Sequence, residues 1–274
     1  ASFAVLIYQS AWLKCYYPAE YAVALLNNMQ VGFWSPGVVV NDARLRGIEI
    51  LPVSVNKSQA ECTVENGAIR LGFNYVTTLG ETGGKRIEEA RGNNPFASLV
   101  DFYKRTRLPQ SQIQNLILCG AMTDWKLPFR DLLWQLGTVE QQVNELGLVI
   151  EGEYADLPPM TRAEKLQAEY SVLGMSTGDH ILALYRNWLN TKAVTTSEQL
   201  KHCKNGQKVR IAGMQICLQR PPTAKGTAFL TIQDEFLNMV DAILSRDIFE
   251  ANKTVMRKLL LTVEGKVQRR GNVI

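Results

Sequence analysis

The segment spanning residues 76–91 constrains the fold of this chain more than any other. Leu79 and Gly80 form a tight turn, and the residues behind them continue as a helix. A helix that begins after a glycine turn presents unpaired N–H groups and the positive end of its dipole. Such an end attracts phosphate, and Lys85 and Arg86 add positive charge beside it. The alternative is an ordinary glycine-rich turn, because short glycine motifs are weak signals.

This turn resembles the hairpin of a helix-hairpin-helix DNA-binding motif, which reads glycine, hydrophobic residue, glycine. The three positions here are Thr78, Leu79 and Gly80, so a threonine stands where the pattern has its first glycine. The resemblance implies that Thr78, Leu79, Gly80, Lys85 and Arg86 contact DNA.

A β-hairpin is predicted directly before this segment. Two short alternating runs, residues 62–65 and 68–71, flank Asn66-Gly67, which favours a type I′ turn. Three further helices are predicted afterwards, at residues 95–107, 111–119 and 130–136. Gly120 separates the last two, so helix, glycine turn and helix occur twice and form a small all-α module.

The beginning of the chain is predicted to be helical at residues 2–17, 19–28 and 35–46. Residue 1 is alanine and lies within a helical pattern, so we expect a fragment of a longer protein. We identify no signal peptide and no apolar run of the ~18 residues that a membrane span requires.

Residues 137–159 are predicted to form an acidic linker, because glycines and a proline pair interrupt them. A helix follows at residues 161–170, where Thr161 and Glu164 form a capping box. His180 is interpreted as a turn or capping histidine, since no acid or nucleophile accompanies it in sequence.

From residue 208 the pattern becomes β. Strands are predicted at residues 209–218, 228–234, 239–244 and 259–267, with Gly213 as a bulge and a helix at residues 247–253. A fifth strand begins at residues 272–274. This order is that of an OB-fold barrel, truncated at its C-terminus. The predicted fold is therefore multidomain, with a mainly α N-terminal two-thirds followed by an all-β barrel.

The charge distribution indicates the kind of partner, and the cysteines indicate the cellular compartment. Residues 201–274 contain 13 Lys and Arg against 6 Asp and Glu, whereas residues 1–200 contain 17 against 20. The basic end favours a polyanionic partner, although a basic surface also serves solubility. The five cysteines are scattered without a C-x-x-C pair, which argues against zinc and is typical of a reducing cytosol, so we predict a cytoplasmic protein.

Taken in this order, the segments resemble the C-terminal part of the bacterial C-family DNA polymerase, the alpha subunit of DNA polymerase III. Residues 1–14 with Pro18-Ala19 resemble its fingers, residues 67–72 the approach to its tandem helix-hairpin-helix, and residues 209–213 and 223–226 its OB domain. Residues 27–36, with Gly32-Phe33-Trp34-Ser35-Pro36, and residues 219–221 are most similar to the error-prone, DnaE-like branch. The replicative alpha subunit is the alternative.

The resemblance implies four segments. These are a fingers-end helical segment (1–55), the β-hairpin with the tandem helix-hairpin-helix (56–137), a linker with helices (138–200) and an incomplete OB domain (201–274). The parent enzyme would extend a primer past lesions by two-metal nucleotidyl transfer. Its three metal-binding aspartates would lie upstream, so we expect no catalytic residue, no metal ligand and no bound cofactor in this chain, with Mg²⁺ in the upstream catalytic domain.

Two functions remain open. In the first, the hairpins bind duplex phosphates without reading bases, and the OB barrel binds single-stranded template through Arg210, Arg220, Lys225 and a stacking Phe229. Phe229 could equally be a core residue. In the second, the chain is a protein-interaction module for accessory proteins such as a sliding clamp or translesion factors, which the acidic residues 138–160 favour.

Overall fold

The computed structural model describes residues 2–29, 34–145 and 157–269. The chain divides into two compact units, Ala1–Gly178 and Asp179–Ile274. The segments 146–156 and 272–274, which include part of the predicted linker and the predicted fifth strand, lie outside the described residues, as do Gly32 and Phe33.

The first unit is mainly helical, as predicted. Its helices are α1 (Ser2–Tyr16), α2 (Pro18–Asn27), α3 (Pro36–Leu45), α4 (Gly80–Arg91), α5 (Leu99–Thr106), α6 (Gln110–Leu118), α7 (Phe129–Glu145) and α8 (Arg162–Leu173). Its strands are β1 (Ile50–Leu51), β2 (Thr63–Glu65) and β3 (Ala68–Arg70). Short 3-10 turns lie at Phe73–Tyr75 and Thr123–Trp125.

The first three helices follow the predicted pattern with two differences. In α3, Val38, Val39 and Ala43 are buried as predicted, but Leu45 is 51% exposed because the helix ends there. In α1 the apolar side chains do not form a buried stripe, since large residues such as Phe3 (73%) remain exposed in the structure.

The predicted β-hairpin is confirmed. Strand β3 pairs with β2 antiparallel and with β1 parallel in a three-stranded sheet. Asn66 and Gly67 both have positive φ, at 52° and 82°, as a type I′ turn requires. Arg70 on the central strand is buried, and its guanidinium forms a bidentate ion pair with Glu65. The carboxylate balances the buried positive charge.

Helix α4 approaches the segment before β2 very closely. A Cβ at Gly84 would lie 3.0 Å from the Cα of Ala60 and from the Cβ of Phe73. The glycine therefore allows a close approach of backbone and core, which a Cβ would permit only if its neighbours shifted by a few tenths of an ångström. Behind this contact, Phe96 and Phe102 pack edge to face with ring centroids 4.9 Å apart, and both are almost fully buried.

Helices α5 and α7 differ from their predicted bounds. Helix α5 begins at Leu99 rather than Pro95, because the Ser98 hydroxyl accepts the Asp101 N–H and caps it there. Helix α7 continues through Gly137 to Glu145, so the predicted linker does not begin at residue 137. Leu136 and Val139 are buried, and their burial holds the helix together across a glycine that costs it only ~1 kcal/mol.

Helix α8 begins with the predicted capping box. The Thr161 hydroxyl accepts the Glu164 N–H at 3.2 Å, and the Glu164 carboxylate accepts the Thr161 N–H at 2.8 Å. At the start of the second unit, His180 Nδ1 accepts the Leu182 N–H, which confirms the capping interpretation for this histidine.

The second unit is an OB-like half-barrel, as predicted. Its elements are α9 (Arg186–Thr191), α10 (Ser197–Leu200), β4 (Lys208–Gln219), β5 (Ala228–Gln233), β6 (Met239–Leu244), α11 (Arg246–Ala251) and β7 (Leu260–Lys266), with a 3-10 turn at Ile181–Leu184. The four strands form one antiparallel sheet in the order β6-β5-β4-β7.

The bulge lies elsewhere than predicted. Strand β4 keeps a continuous register with β7 through Gly213, and the register shift occurs against β5 between Gln215 and Cys217. Gly213 has a different purpose: a Cβ there would lie 2.6 Å from the Cβ of Ile232. The missing side chain thus lets Ile232 pack over the strand in the core.

The sheet buries one face. Its core contains Ile211, Ala228, Leu230, Ile232, Leu244 and Leu261. On the other face, Ala212 packs with Leu182, Leu189 and Val194, so the short helices 181–200 cover that part of β4. The five cysteines are free thiols. Within the described parts of the chain, no helix combines the length and apolar character needed to cross a membrane.

Candidate nucleic-acid interface

The first hairpin of the helical module is formed by Thr78, Leu79 and Gly80. Thr78 and Gly80 have positive φ, at 71° and 61°, and both are exposed. Leu79 between them is buried and anchors the turn in the core. A β-branched residue at positive φ is an outlier that costs on the order of 1–3 kcal/mol, so neighbouring contacts must hold Thr78 in this conformation.

The hairpin opens directly into α4. The first hydrogen bond at this end joins the Gly83 N–H to the Leu79 carbonyl at 3.2 Å, so the amides of residues 80–82 precede the helical hydrogen-bond ladder. A Cβ placed on Gly80 would meet nothing within 4 Å. The space in front of this helix start is therefore open, and a phosphate oxygen could approach the amides closely.

The charges around this helix start are partly balanced. Lys85 Nζ lies 2.5 Å from a Glu81 carboxylate oxygen, and both side chains are exposed. Their hydrogen bond and opposite charges lower the pKa of Glu81 and raise the pKa of Lys85. Lys85 is thus shared with Glu81, whereas Arg86 is exposed one residue further along α4. Positive charge at this end therefore comes from Arg86, the backbone amides and the helix dipole.

Two amide side chains of α6 hold the hairpin from outside. Gln112 Nε2 donates to the Thr78 carbonyl at 2.8 Å. Asn115 Nδ2 donates to the Thr77 carbonyl at 2.8 Å and to the Thr78 hydroxyl at 3.1 Å. Sequence reasoning missed both residues, because their partners lie more than 30 positions earlier. The one sequence signal for these contacts is the threonine in place of a glycine, because a threonine in this conformation needs hydrogen bonds from other residues to hold it.

The second hairpin follows α6. Gly120 has a φ of 78°, and its neighbour Ala121 donates to the Leu116 carbonyl, which closes the helix end. Ala121 also accepts the Val55 N–H, so this turn is fixed to the segment after β1. Residues 47–131 as a whole contain ten Lys and Arg against nine Asp and Glu. The module is therefore close to neutral, and net charge alone would not attract DNA.

In the OB-like unit, Phe229 lies on the sheet face opposite the core. Its strand neighbours Ala228 and Leu230 are fully buried, whereas Phe229 is 37% exposed. It pairs with Gln219 on β4 and with Ile243 on β6, and Ile243 is 61% exposed. Strands 2 and 3 of an OB fold, here β5 and β6, form the face that commonly binds oligonucleotides.

Two of the three predicted cations of this unit, Arg210 and Arg220, form ion pairs with exposed carboxylates. Arg210 contacts Glu264 on β7 at 2.8 Å, and its hydrogen bond lowers the pKa of that carboxyl. Arg220 contacts Glu250 at 2.9 Å. Lys253, and to a smaller extent Arg220, lower the pKa of Glu250. Sequence reasoning did not reveal these two carboxylates, which lie about 54 and 30 positions away from Arg210 and Arg220.

Lys225 differs from these two arginines. It is exposed in the loop between β4 and β5, and among the described residues no carboxylate lies within ion-pair distance of it. The described residues also contain no group of three or more His, Cys, Asp or Glu side chains that could hold a metal ion.

Comparison with known proteins agrees with this geometry. Residues 47–131 match the family model of the helix-hairpin-helix motif. Over its whole length the chain is 33% identical to the error-prone DNA polymerase of Methylococcus capsulatus, 37% to that of Pseudomonas syringae pv. syringae and 34% to that of Pseudomonas aeruginosa. It spans 28%, 27% and 27% of the length of these three relatives.

The fold and the hairpin together define a helix-hairpin-helix protein with an OB-like second unit. From end to end, the chain is similar in sequence to the C-terminal part of the error-prone DNA polymerases. The resemblance to that branch of the C-family is thereby confirmed.

Proposed function

We propose that this chain is the DNA-binding part of an error-prone DNA-directed DNA polymerase, and that its first hairpin holds a phosphate of duplex DNA. The open helix start at Gly80 carries the proposal, because it offers unpaired amides to an anion without steric hindrance. The matched helix-hairpin-helix family and the names of the relatives support DNA as the partner.

The whole enzyme would extend primers past damaged template positions during repair and damage-induced mutagenesis, in the cytoplasm. Its catalytic aspartates and Mg²⁺ would belong to the preceding part of the polypeptide. The present chain would bind the DNA and hold it in place. Phosphate contacts fix a protein on the duplex without reading sequence, as a polymerase that acts on any template needs.

Gly80→Val tests the hairpin. A β-branched residue at a φ of 61° is strained, and its side chain would occupy the space open to phosphate. Losing one charge-assisted hydrogen bond should weaken duplex binding about tenfold or more. The measurement is fluorescence anisotropy with a labelled duplex, and circular dichroism checks that the variant is folded.

Gly137→Ala is the matched control for this change. Gly137 lies exposed in α7, and a Cβ there would meet nothing within 4 Å. This variant should bind duplex like the wild type. A folded Gly80→Val protein with unchanged affinity would remove the hairpin from the proposed interface.

We further propose that the exposed face of β5 and β6 binds single-stranded template, because the solvent-facing ring of Phe229 can stack on a base. Phe229→Ala should lower single-strand affinity by ~1–3 kcal/mol at every salt concentration, with the slope against log salt unchanged. Phe236→Ala is the matched control, since Phe236 is similarly exposed at 44% in the same unit but lies outside the strands.

Measuring DNA binding at several salt concentrations also distinguishes DNA binding from the alternative function. If neither duplex nor single strand binds with measurable salt dependence, the chain would instead be a docking module for accessory proteins such as a sliding clamp or translesion factors. The ion pairs of Arg210 and Arg220 are the observation that favours this second function, because they leave fewer cations for phosphate.

A further inference from the structure

We propose that Gln112 and Asn115 of α6 are positioning residues that hold the first hairpin in its phosphate-binding conformation. Neither side chain is required to touch DNA. The proposal deepens the proposed function of the hairpin and rests on it for the binding readout. Its structural part stands on contacts within the DNA-free chain.

The contacts are directed at the strained residue itself. Asn115 is bonded through one amide nitrogen to both the Thr77 carbonyl and the Thr78 hydroxyl, and Gln112 is bonded to the Thr78 carbonyl. Three hydrogen bonds from one helix face therefore converge on two consecutive residues. The two amide residues are three positions apart, so they lie on the same side of α6.

Helix α8 provides a further attachment for the hairpin. The Thr77 N–H and hydroxyl both donate to the Val172 carbonyl, at 3.1 and 2.5 Å. Thr77 is thus held between α6 and α8, and the buried Leu79 anchors the turn from below. The orientation of the amides after Leu79 is then determined by all three attachments.

The threonine explains why this support is needed. Glycine reaches a φ near 70° without a steric penalty, but threonine does not. The Thr78 hydroxyl also supplies an acceptor that glycine lacks, and Asn115 uses it. We infer that the Asn115 contact offsets the strain of a threonine at the first hairpin position and keeps the turn in one conformation.

A double-mutant cycle between Asn115→Ala and Thr78→Gly tests this inference. Asn115→Ala should weaken duplex binding about tenfold, because the hairpin then populates other conformations. With glycine at position 78 the same change should cost only about threefold, since no strain remains and only the bond to the Thr77 carbonyl is lost. Gln114→Ala, an exposed residue of the same helix, is the control and should leave affinity unchanged.

Hydrogen exchange in the DNA-free protein provides the second readout. The Thr77 and Gly83 N–H groups are bonded on either side of the hairpin, and their exchange should accelerate about tenfold in Asn115→Ala and less in the double variant. If Asn115→Ala reduced duplex affinity equally with threonine and with glycine at position 78, the proposal would be overturned. Unchanged hydrogen exchange in Asn115→Ala would also overturn it. A wild-type chain that does not bind duplex would instead refute the proposed function, and the exchange data would still decide on the positioning role.

Discussion

Given a primed template, the four deoxynucleotides and Mg²⁺, the 274-residue chain is expected to add no nucleotide. Two-metal phosphoryl transfer requires carboxylates that hold both ions, and the described residues contain no group of acidic, His or Cys side chains suited to a metal. From the resemblance we propose that the catalytic aspartates belong to the preceding part of the polypeptide. Gel electrophoresis of a labelled primer after incubation measures this directly.

A full-length error-prone DNA polymerase in the same assay shows that the conditions permit synthesis. Magnesium-dependent extension by the purified chain would contradict the division between a catalytic part and a DNA-binding part. It would also require a metal-binding carboxylate group, which the described residues do not contain.

Gly72→Ala is expected to destabilise the first unit more than alanine at any other glycine that the structure describes in this unit. A Cβ at this position would lie 2.3 Å from the Glu61 carbonyl carbon and 2.7 Å from the Cys62 nitrogen. Both atoms belong to the backbone beside β2, so relief requires the chain itself to move. We expect the free energy of unfolding to fall by about 2–4 kcal/mol, measured by urea denaturation.

Gly137→Ala serves again as the comparison, now for stability. Because this glycine lies within α7 with open space around it, alanine should raise the free energy of unfolding by about 0.5–1 kcal/mol. Opposite signs for the two substitutions would confirm that close packing, rather than loss of glycine as such, controls the outcome. A Gly72→Ala protein as stable as the wild type would contradict the close contact between Gly72 and the backbone of residues 61–62.

Several elements could be predicted because their signals are local. Asn66-Gly67 determines its own turn, and the alternation of residues 228–233 and 239–244 determines two strands. Thr161 and Glu164 are three positions apart, so their capping box was evident in sequence. In each case the residues that decide the structure are neighbours along the chain.

The predictions that were wrong concern residues whose packing contacts are distant in sequence. Gly137 resembled a helix end, but burial of Leu136 and Val139 carries α7 past it. Gly213 resembled a bulge, but its role is to admit Ile232 from another strand. Such tertiary packing overrides local propensity, and no spacing rule reveals it.

The candidate site shows the same division. The hairpin at Thr78, Leu79 and Gly80 was located from its sequence, whereas the clamp by Gln112 and Asn115 was not. Basic residues could be found, but their availability could not, since Arg210 and Arg220 meet carboxylates only in the folded chain. The sequence permits either a core or a surface position for Phe229, and in the structure this residue lies on the exposed face.

The most direct test of the central claim is the response of individual backbone amides to duplex DNA. Nuclear magnetic resonance of the isotope-labelled chain, titrated with a short duplex, reports on each N–H separately. We expect the amides of Gly80, Glu81 and Thr82 to shift most strongly within the first unit, because they would face the bound phosphate. Duplex binding that shifts amides elsewhere and leaves these three unchanged would contradict this expectation.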